Sequence, residues 1–331
     1  MANLTVYSVQ KLEEKDFKIF MGLYNDFKNR AKSDFKFELE PLEYEDFTKA
    51  IENKLLKCIV LTENSIPTGF LIYTDVISFS IELNMIYLIS DENYETKVRY
   101  LIGEFFTQEA DVLKEKVVTY PLLGEQVNYK ETLREFGFQG VSQTVLKFDL
   151  SNPSCITKLN SVRDLKPQSD HIMTNWDEKQ FDKVVKLIHN NFKYTNDASF
   201  DPRFRTYEGV KDIITKITNS VYGEFLPQYT KMVHKDFKII GICFVNVTGD
   251  GIVNIPLVAV EKQYRNKKLG KKMVSLAVKD ILETKINEEK PYKEINVTTD
   301  TFNPSSVKMY ESCGFITDYE YQQCYYEAKG E

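Results

Sequence analysis

Apolar positions along the 331-residue chain follow two periodicities, and each predicts a different element. Short apolar runs bounded by turn residues predict strands, whereas apolar residues at i, i+3, i+4 and i+7 predict helices with one buried face. In the first half the predicted order is βααβββαβαβ. The predicted strands are 4–8, 58–62, 69–73, 84–89, 117–120 and 138–150, and the predicted helices are 17–27, 44–55, 98–106 and 130–136.

The same order of elements begins again in the second half. The pattern predicts strands at 171–174, 229–233, 239–245, 252–260 and 295–298, helices at 181–188, 210–217, 273–282 and after Asn303, and a terminal strand pair within 315–326. Residues 151–168 are polar and rich in turn residues, which is typical of a connector. The predicted organisation is a domain at 1–150, a linker at 151–168 and a second domain at 169–331.

An internal duplication explains the repeated order. A shift of about 170 positions places Asn84 on Asn254, Tyr94 on Tyr264 and Lys97 on Lys267 without a gap. Further along, residues 133–138 and 310–315 resemble each other around a shared Gly-Phe pair. The sequence therefore predicts two α/β domains of similar design.

Composition narrows the class of protein. A hydrophobic share of 42% with 28% charged residues is ordinary for a soluble globular protein. The net charge of −6 argues against a nucleic-acid binder, and no run of 18 apolar residues predicts a membrane span. The five cysteines are widely spaced and fit neither a disulfide framework nor a zinc site, and the three histidines are scattered. We expect a cytoplasmic protein without a metal.

One stretch of the second half carries the strongest chemical signal. An apolar strand ending at Val260 runs into a turn crowded with Asn, Arg and Lys, and an amphipathic helix follows Gly270. A turn of this kind aims backbone N–H groups at the start of a helix dipole, and the lysines add positive charge. The pattern predicts a site for a phosphate-bearing ligand.

The residues of this turn resemble the pyrophosphate loop of the GNAT acyl-CoA N-acyltransferases, Gln/Arg-x-x-Gly-x-Gly/Ala. Here the loop reads from Arg265 to Gly270, with Lys268 where the first Gly usually stands. A second block, Asn303–Phe315, is similar to the family pattern Asn-x-x-Ala/Ser-x-x-x-Tyr-x-x-x-Gly-Phe. The resemblance implies two tandem domains, each with a mixed, mostly antiparallel sheet flanked by helices, and acetyl-CoA as acyl donor.

The resemblance also implies roles for individual residues. Pantetheine would pair with the edge of the central strand, the loop would bind the pyrophosphate, and Tyr310 would be the general acid that protonates the leaving thiolate. The backbone N–H of Val258 would stabilise the oxyanion. The donor-binding residues implied in this way are Leu257, Val258, Val260, Arg265, Asn266, Lys267, Lys268, Leu269, Gly270, Lys271 and Asn303.

The general base stays open at this point. Many relatives have a Glu on the central strand where this chain has Asn254, and an amide cannot accept a proton at neutral pH. Asp250, Glu261 and Glu224 lie nearby in sequence, and ordered water could also remove the proton.

The first copy lacks the residues of this chemistry. Its loop, 95–100, has no Gly and begins with an acid where Arg265 stands, and Leu133 occupies the place of Tyr310. We therefore expect the first copy to be a GNAT-like fold without a working acyl-CoA site.

The predicted function is transfer of an acetyl group from acetyl-CoA to an unidentified primary amine by a monomer or homodimer, with neither nucleic acid nor membrane as partner. Two other functions stay open. Lys268 and the missing strand Glu favour a non-catalytic CoA or acyl-CoA sensor. An aminoacyl transferase of the Fem-like tandem type is a weaker alternative, because the CoA loop and the acidic pI of about 5.4 count against it.

Overall fold

The computed structural model describes residues 5–34, 41–163, 170–249, 251–288 and 292–328. The chain divides into two compact units. Unit 1 consists of Met1–Val141 with Tyr321–Glu331, and unit 2 is Ser142–Glu320. The C-terminal residues thus belong to the same unit as the N-terminal ones.

Unit 1 contains strands that form a continuous ladder and helices that cover it. In chain order its elements are β1 (Tyr7–Lys11), α1 (Phe17–Asp34), α2 (Tyr44–Glu52), β2 (Lys57–Glu63), β3 (Ile66–Ile77), β4 (Ser80–Leu88), α3 (Tyr94–Gln108), β5 (Val117–Leu122) and α4 (Lys130–Glu135). The strand order is β1-β2-β3-β4-β5, and residues 322–326 of the last strand add to β5.

Unit 2 repeats this plan with more interruptions. Its elements are the main part of β6 (Gln139–Asp149), α5 (Pro153–Arg163), β7 (Ile172–Asn175), α6 (Phe181–Phe192), α7 (Asn196–Phe200), α8 (Tyr207–Thr218), β8 (Glu224–Phe225), β9 (Lys231–Lys235), β10 (Lys238–Cys243), β11 (Asn246–Gly249), β12 (Ile252–Asn254), β13 (Val258–Val260), α9 (Leu269–Glu288), β14 (Glu294–Asp300), α10 (Pro304–Ser312) and the start of β15 (Ile316–Tyr326).

Each unit has one parallel strand pair, β4 with β5 and β12 with β14. The other pairs within the described part of each unit are antiparallel. Apolar side chains fill the space between sheet and helices on both faces. In unit 2, Val274 of α9 belongs to the core on one face and Ile214 of α8 to the core on the other. The mixed, mostly antiparallel α/β fold is as predicted.

Four features differ from the expectations. The compact units are bounded at 141/142 and 320/321, whereas we expected domains at 1–150 and 169–331. Much of the expected linker, 153–163, is helix α5, which packs its apolar side chains into the core of unit 2. The terminal strand pair is one strand, β15. The central strand is broken between Asn254 and Val258.

None of the helices in the described ranges combines the length and the apolar character needed to cross a membrane.

Candidate functional site

The central strand of unit 2 changes partner where it is broken. Before the break, β12 runs parallel to β14, and the N–H of Ile255 donates to the carbonyl of Asn296 at 2.9 Å. Pro256 follows and has no N–H to continue the ladder. Beyond it, β13 pairs with β10 and no longer with β14. The two halves of the strand therefore open a notch between β13 and β14.

Hydrogen-bond alternation shows which groups of β13 face this notch. The N–H of Phe244 donates to the carbonyl of Leu257 at 3.0 Å, and the N–H of Glu261 donates to that of Ile240 at 2.8 Å. Because backbone groups of an antiparallel strand alternate in direction, Val258 and Val260 point away from β10 and Leu257 points towards it. Within the described ranges, the N–H of Val258 has no hydrogen-bond partner.

The loop after β13 ends at the start of a long helix. α9 begins at Leu269, and the N–H of Lys272 already donates to the carbonyl of Lys268 at 3.0 Å. The N–H groups of Leu269, Gly270 and Lys271 have no acceptor in the part of the chain that the structure describes. Unpaired N–H groups at the positive end of a helix dipole form an anion site.

The charged side chains of the loop fall into two groups. Lys267 and Lys268 are exposed, and the Nζ of Lys267 lies 5.1 Å from the ring centre of Tyr264. Arg265 instead donates from Nε to the carbonyl of Val260 at 3.2 Å and from its guanidinium to Asn191 Oδ1 at 2.9 Å. Its position fixes the loop to β13 and α6, so the lysines supply the free positive charge near the helix start.

Lys268 and Gly270 stand at the two positions where the family usually has glycine, and the backbone conformation and packing differ between them. Lys268 has φ +60°, the left-handed region in which a side chain is strained. Gly270 lies inside the first turn of α9, and a Cβ there would come within 2.9 Å of Met309 Sδ. Gly270 thus packs closely against the flexible Met309 side chain of α10, which would have to shift to admit a Cβ, and Lys268 occupies the position where the backbone itself favours glycine.

Lys268→Gly should therefore stabilise the protein by about 0.5–1 kcal/mol and leave donor binding intact or improved, since it removes the strain of a non-glycine residue at positive φ. Urea unfolding checks the free energy. The matched control is Lys267→Gly at the neighbouring position, which is not among the residues with positive φ and should be destabilised or unchanged. Equal losses in both variants would contradict this explanation.

The second sequence block forms helix α10 and its cap. Asn303 is exposed, and its Oδ1 accepts hydrogen bonds from Ser306 N at 3.2 Å and Ser305 Oγ at 2.8 Å. Its amide nitrogen has no partner among the described residues. Asn303 is thus a helix cap whose donor group stays available.

Tyr310 lies on the inner face of α10. Only 5% of its surface is exposed, and its ring packs edge-on against Phe315 with 5.7 Å between centroids. Its hydroxyl makes no hydrogen bond within the described part of the chain. Burial raises the pKa of Tyr310 well above its ordinary value, so the phenol stays protonated at every physiological pH.

Two cysteines next to Tyr310 are unsuited to nucleophilic catalysis. Cys243 and Cys313 are fully buried, and burial raises the pKa of both thiols, that of Cys243 to about 12. A thiol with so high a pKa carries almost no thiolate at neutral pH. Both side chains therefore act as small buried hydrophobic residues.

The carboxylates considered as bases are placed differently. Glu261 accepts hydrogen bonds from Lys238 at 2.5 Å and Gln263 at 3.0 Å, so it is held in an ion pair. Glu224 is exposed on the short strand β8, and Asp250 lies outside the described residues. Asn254 is half-buried on β12.

Sequence reasoning missed Asp197, on α7. The neighbouring Asn196 donates to Asp300 Oδ2 at 3.0 Å, which brings α7 to the end of β14 beside the notch. Asp197 is exposed, yet the surrounding protein and the charge of Asp300 raise its pKa. A helix of five residues is too short to show an apolar periodicity in the sequence. It comes next to β14 only in the folded structure. No group of three or more His, Cys, Asp or Glu side chains among the described residues is arranged to hold a metal ion.

Comparisons with known proteins fit this geometry. Residues 229–317 match the family model of the acetyltransferase (GNAT) domain. A GCN5-related N-acetyltransferase from Sphaerobacter thermophilus superposes with a TM-score of 0.56 at 11% identity, over 97% of this chain and 95% of that one. A tandem GNAT protein from the clavulanic acid biosynthesis pathway has a TM-score of 0.52 at 11% identity, over 98% and 100%. A search of curated proteins gave no match.

These findings define the class of protein as an α/β protein with two GNAT-like units and a notch between β13 and β14 in its second half. Residues 229–317 thus match the GNAT domain, and the chain has the fold of tandem GNAT proteins, which confirms the resemblance in the sequence.

Proposed function

We propose that the C-terminal half of the chain transfers an acyl group, most simply acetyl from acetyl-CoA, to a primary amine. The observation that carries the proposal is the combination of an unpaired strand edge at Val258 with unpaired N–H groups at the start of α9. These two features lie at either end of one strand-loop-helix unit. They suit the extended pantetheine and the pyrophosphate of a single CoA molecule.

In this proposal the donor binds along the strand edge. Pantetheine pairs with Val258 and Val260, and the phosphates bind the N–H groups of Leu269 to Lys271. Lys267 and Lys268 add charge, which shortens and strengthens contacts to phosphate oxygens. Asn303 has an amide donor for the pantetheine arm, since its nitrogen makes no hydrogen bond to the described residues. Arg265 acts as a positioning residue, because its guanidinium is already bound to Val260 and Asn191.

The chemistry requires two proton transfers. A neutral amine attacks the thioester carbonyl, and the C–N bond forms as the carbonyl oxygen becomes an oxyanion near the Val258 N–H. When the C–S bond breaks, its electron pair stays on sulfur, and Tyr310 gives its proton to the thiolate. The proton lost by the amine leaves through a base and solvent, and Tyr310 regains a proton in the same way. The buried phenol is a weak acid, so donation is favourable only to a thiolate that is itself desolvated.

We propose Asp197 as the base, acting directly or through a water molecule. A carboxylate with a raised pKa accepts protons more readily than an ordinary Asp. Because a base must be deprotonated to act, kcat/KM should fall as pH drops through the raised pKa of Asp197. Asp197→Asn should lower the rate at neutral pH and remove this inflection from the pH profile. An unchanged profile would eliminate Asp197 as the base.

A non-catalytic CoA sensor is the second candidate. Asn254 in place of a strand carboxylate and the high pKa of Tyr310 favour it. Incubation of the protein with acetyl-CoA and a panel of primary amines, with thiol release as the signal, separates the two. Release that depends on the amine supports the enzyme, whereas saturable binding without release supports the sensor.

A further inference from the structure

Unit 1 contains the same kind of notch as unit 2. β4 runs parallel to β5 only over residues 80–82 and 117–119, and then continues along β3 alone. The N–H of Ile89 donates to the carbonyl of Thr68 at 2.9 Å. By the alternation of antiparallel pairs, the N–H of Ile86 therefore points away from β3, into the space that β5 has left.

Two side chains of unit 1 fill this space. The N–H of Ile86 donates to Tyr120 Oη and to Gln126 Oε1, each at 3.2 Å. Tyr120 and Gln126 are also hydrogen-bonded to each other, and the amide nitrogen of Gln126 contacts Met85 Sδ. Tyr120 is 0% exposed and Gln126 is 1% exposed. A strand N–H that would otherwise be open is thus satisfied by buried protein groups.

Sequence correspondence shows what these residues replace. Gly137 and Gly314 have φ +89° and +101° and precede the shared Phe, which aligns Leu133 with Tyr310. The same spacing aligns Tyr120 with Val297 and Gln126 with Asn303. The first copy therefore has a large aromatic ring where the second has Val297, and its counterpart of Asn303 turns into the notch.

In unit 1, the lysine at the end that corresponds to the proposed phosphate site is also held by other protein groups. Lys97, the counterpart of Lys267, is 3% exposed. Its Nζ lies 2.8 Å from Glu63 Oε1 and 3.2 Å from the carbonyl of Ser90. The residues around the start of α3 include Glu92 and Glu95, which would repel a phosphate. Among the described residues, the lysine that corresponds to the free Lys267 of unit 2 is therefore held in an ion pair in unit 1.

We infer that the N-terminal half is a donor site closed from within, in which Tyr120 and Gln126 hold the hydrogen-bond position of a pantetheine arm and Lys97 is withdrawn from phosphate binding. CoA then binds only to the C-terminal half. The closure is a property of unit 1 alone and does not depend on whether the other half transfers an acyl group.

Amide hydrogen exchange at single-residue resolution tests the closure in the native protein. The amide of Ile86 should exchange as slowly as that of Tyr87, which is paired with Phe70 in the ladder, and CoA should not change its rate. The amide of Val258 should exchange fast in the free protein and slow down with CoA. Fast exchange of Ile86 in the free protein, or slowing by CoA, would overturn the inference.

Substitutions test which side chains protect the Ile86 amide. The Ile86 N–H has two oxygen acceptors, so each single substitution removes one of them. Gln126→Met keeps the side-chain volume and Tyr120→Phe keeps the ring, and each should raise the exchange rate of the Ile86 amide modestly while Tyr87 changes little. The double variant removes both acceptors and should raise the rate about tenfold. Ile86 exchange unaffected by both substitutions would contradict the closure, and the native comparison with and without CoA stands if a variant fails to fold.

Calorimetry with CoA gives the stoichiometry. One site per chain, with an affinity roughly 10- to 150-fold weaker in Lys267→Glu, is the expected result. Two equivalent sites would refute the closure of unit 1. No binding at all, together with a slowly exchanging Ile86, would refute the proposed function and leave the closure standing.

Discussion

Tyr310→Phe should lower kcat by about 10²–10⁴-fold with little change in the acetyl-CoA KM, because general acid catalysis typically contributes a factor of this size. The substitution keeps the ring, which packs against Phe315 in the core of unit 2. It removes only the hydroxyl, which has no partner among the described residues. Steady-state kinetics at saturating donor measures the loss.

Tyr229→Phe is the matched control. Tyr229 is buried in the same core, so its variant removes a hydroxyl from similar surroundings and should retain the parent rate. Since burial raises the pKa of Tyr310, the parent should not lose activity at alkaline pH through ionisation of this phenol. Turnover of Tyr310→Phe within about threefold of the parent at neutral and alkaline pH would show that the thiolate takes its proton from solvent.

Lys267→Glu should weaken the affinity for acetyl-CoA by roughly 10- to 150-fold, since loss of a charge-assisted contact costs about 1.5–3 kcal/mol. Lys267 is exposed beside the unpaired N–H groups of α9, and its reversal places a negative charge where the phosphates bind. The acceptor KM should change far less. Calorimetry with acetyl-CoA measures the donor affinity.

A charge-matched control is available on α8. Lys211 is also exposed, and Lys211→Glu makes the same change in net charge away from the loop. Lys211→Glu should leave the affinity for acetyl-CoA within about twofold of the parent value, because salt screens distant surface charges. If both variants bind acetyl-CoA like the parent, the loop lysines are merely solvated.

Most of the elements could be predicted from periodicity, but a change of strand partner could not. The run 252–260 is apolar except for Asn254 and predicts one strand, although Pro256 marks where pairing is interrupted. Whether the chain stops, bends or changes partner at such a residue depends on β10 and β14, which lie apart from it in sequence.

The segment 151–168 illustrates a different error. Its Asn-Pro-Ser and Pro167 predicted a connector, yet Cys155, Leu159 and Val162 follow helical spacing and are buried. The turn residues led to the prediction of a connector despite the short apolar pattern. The core that covers this pattern was not apparent from the segment alone.

Some parts of the candidate site could likewise be predicted from local patterns, and others could not. The loop from Arg265 and the position of Tyr310 carry local motifs, so the sequence predicted them. The partners of Arg265, the hydrogen bond from Asn196 to Asp300 and the filling of the first notch by Gln126 involve residues distant in the chain, and no local pattern encodes them.

The most direct test of the account is the reaction of purified full-length protein with acetyl-CoA and a panel of primary amines. Thiol release is followed in parallel with mass spectrometry of the amines, and Tyr310→Phe and Lys267→Glu serve as comparisons. We expect thiol release that requires an amine, matches the acetylated product mole for mole, and falls in both variants. Saturable acetyl-CoA binding with no amine-dependent thiol release, or release equal in parent and variants, would contradict it.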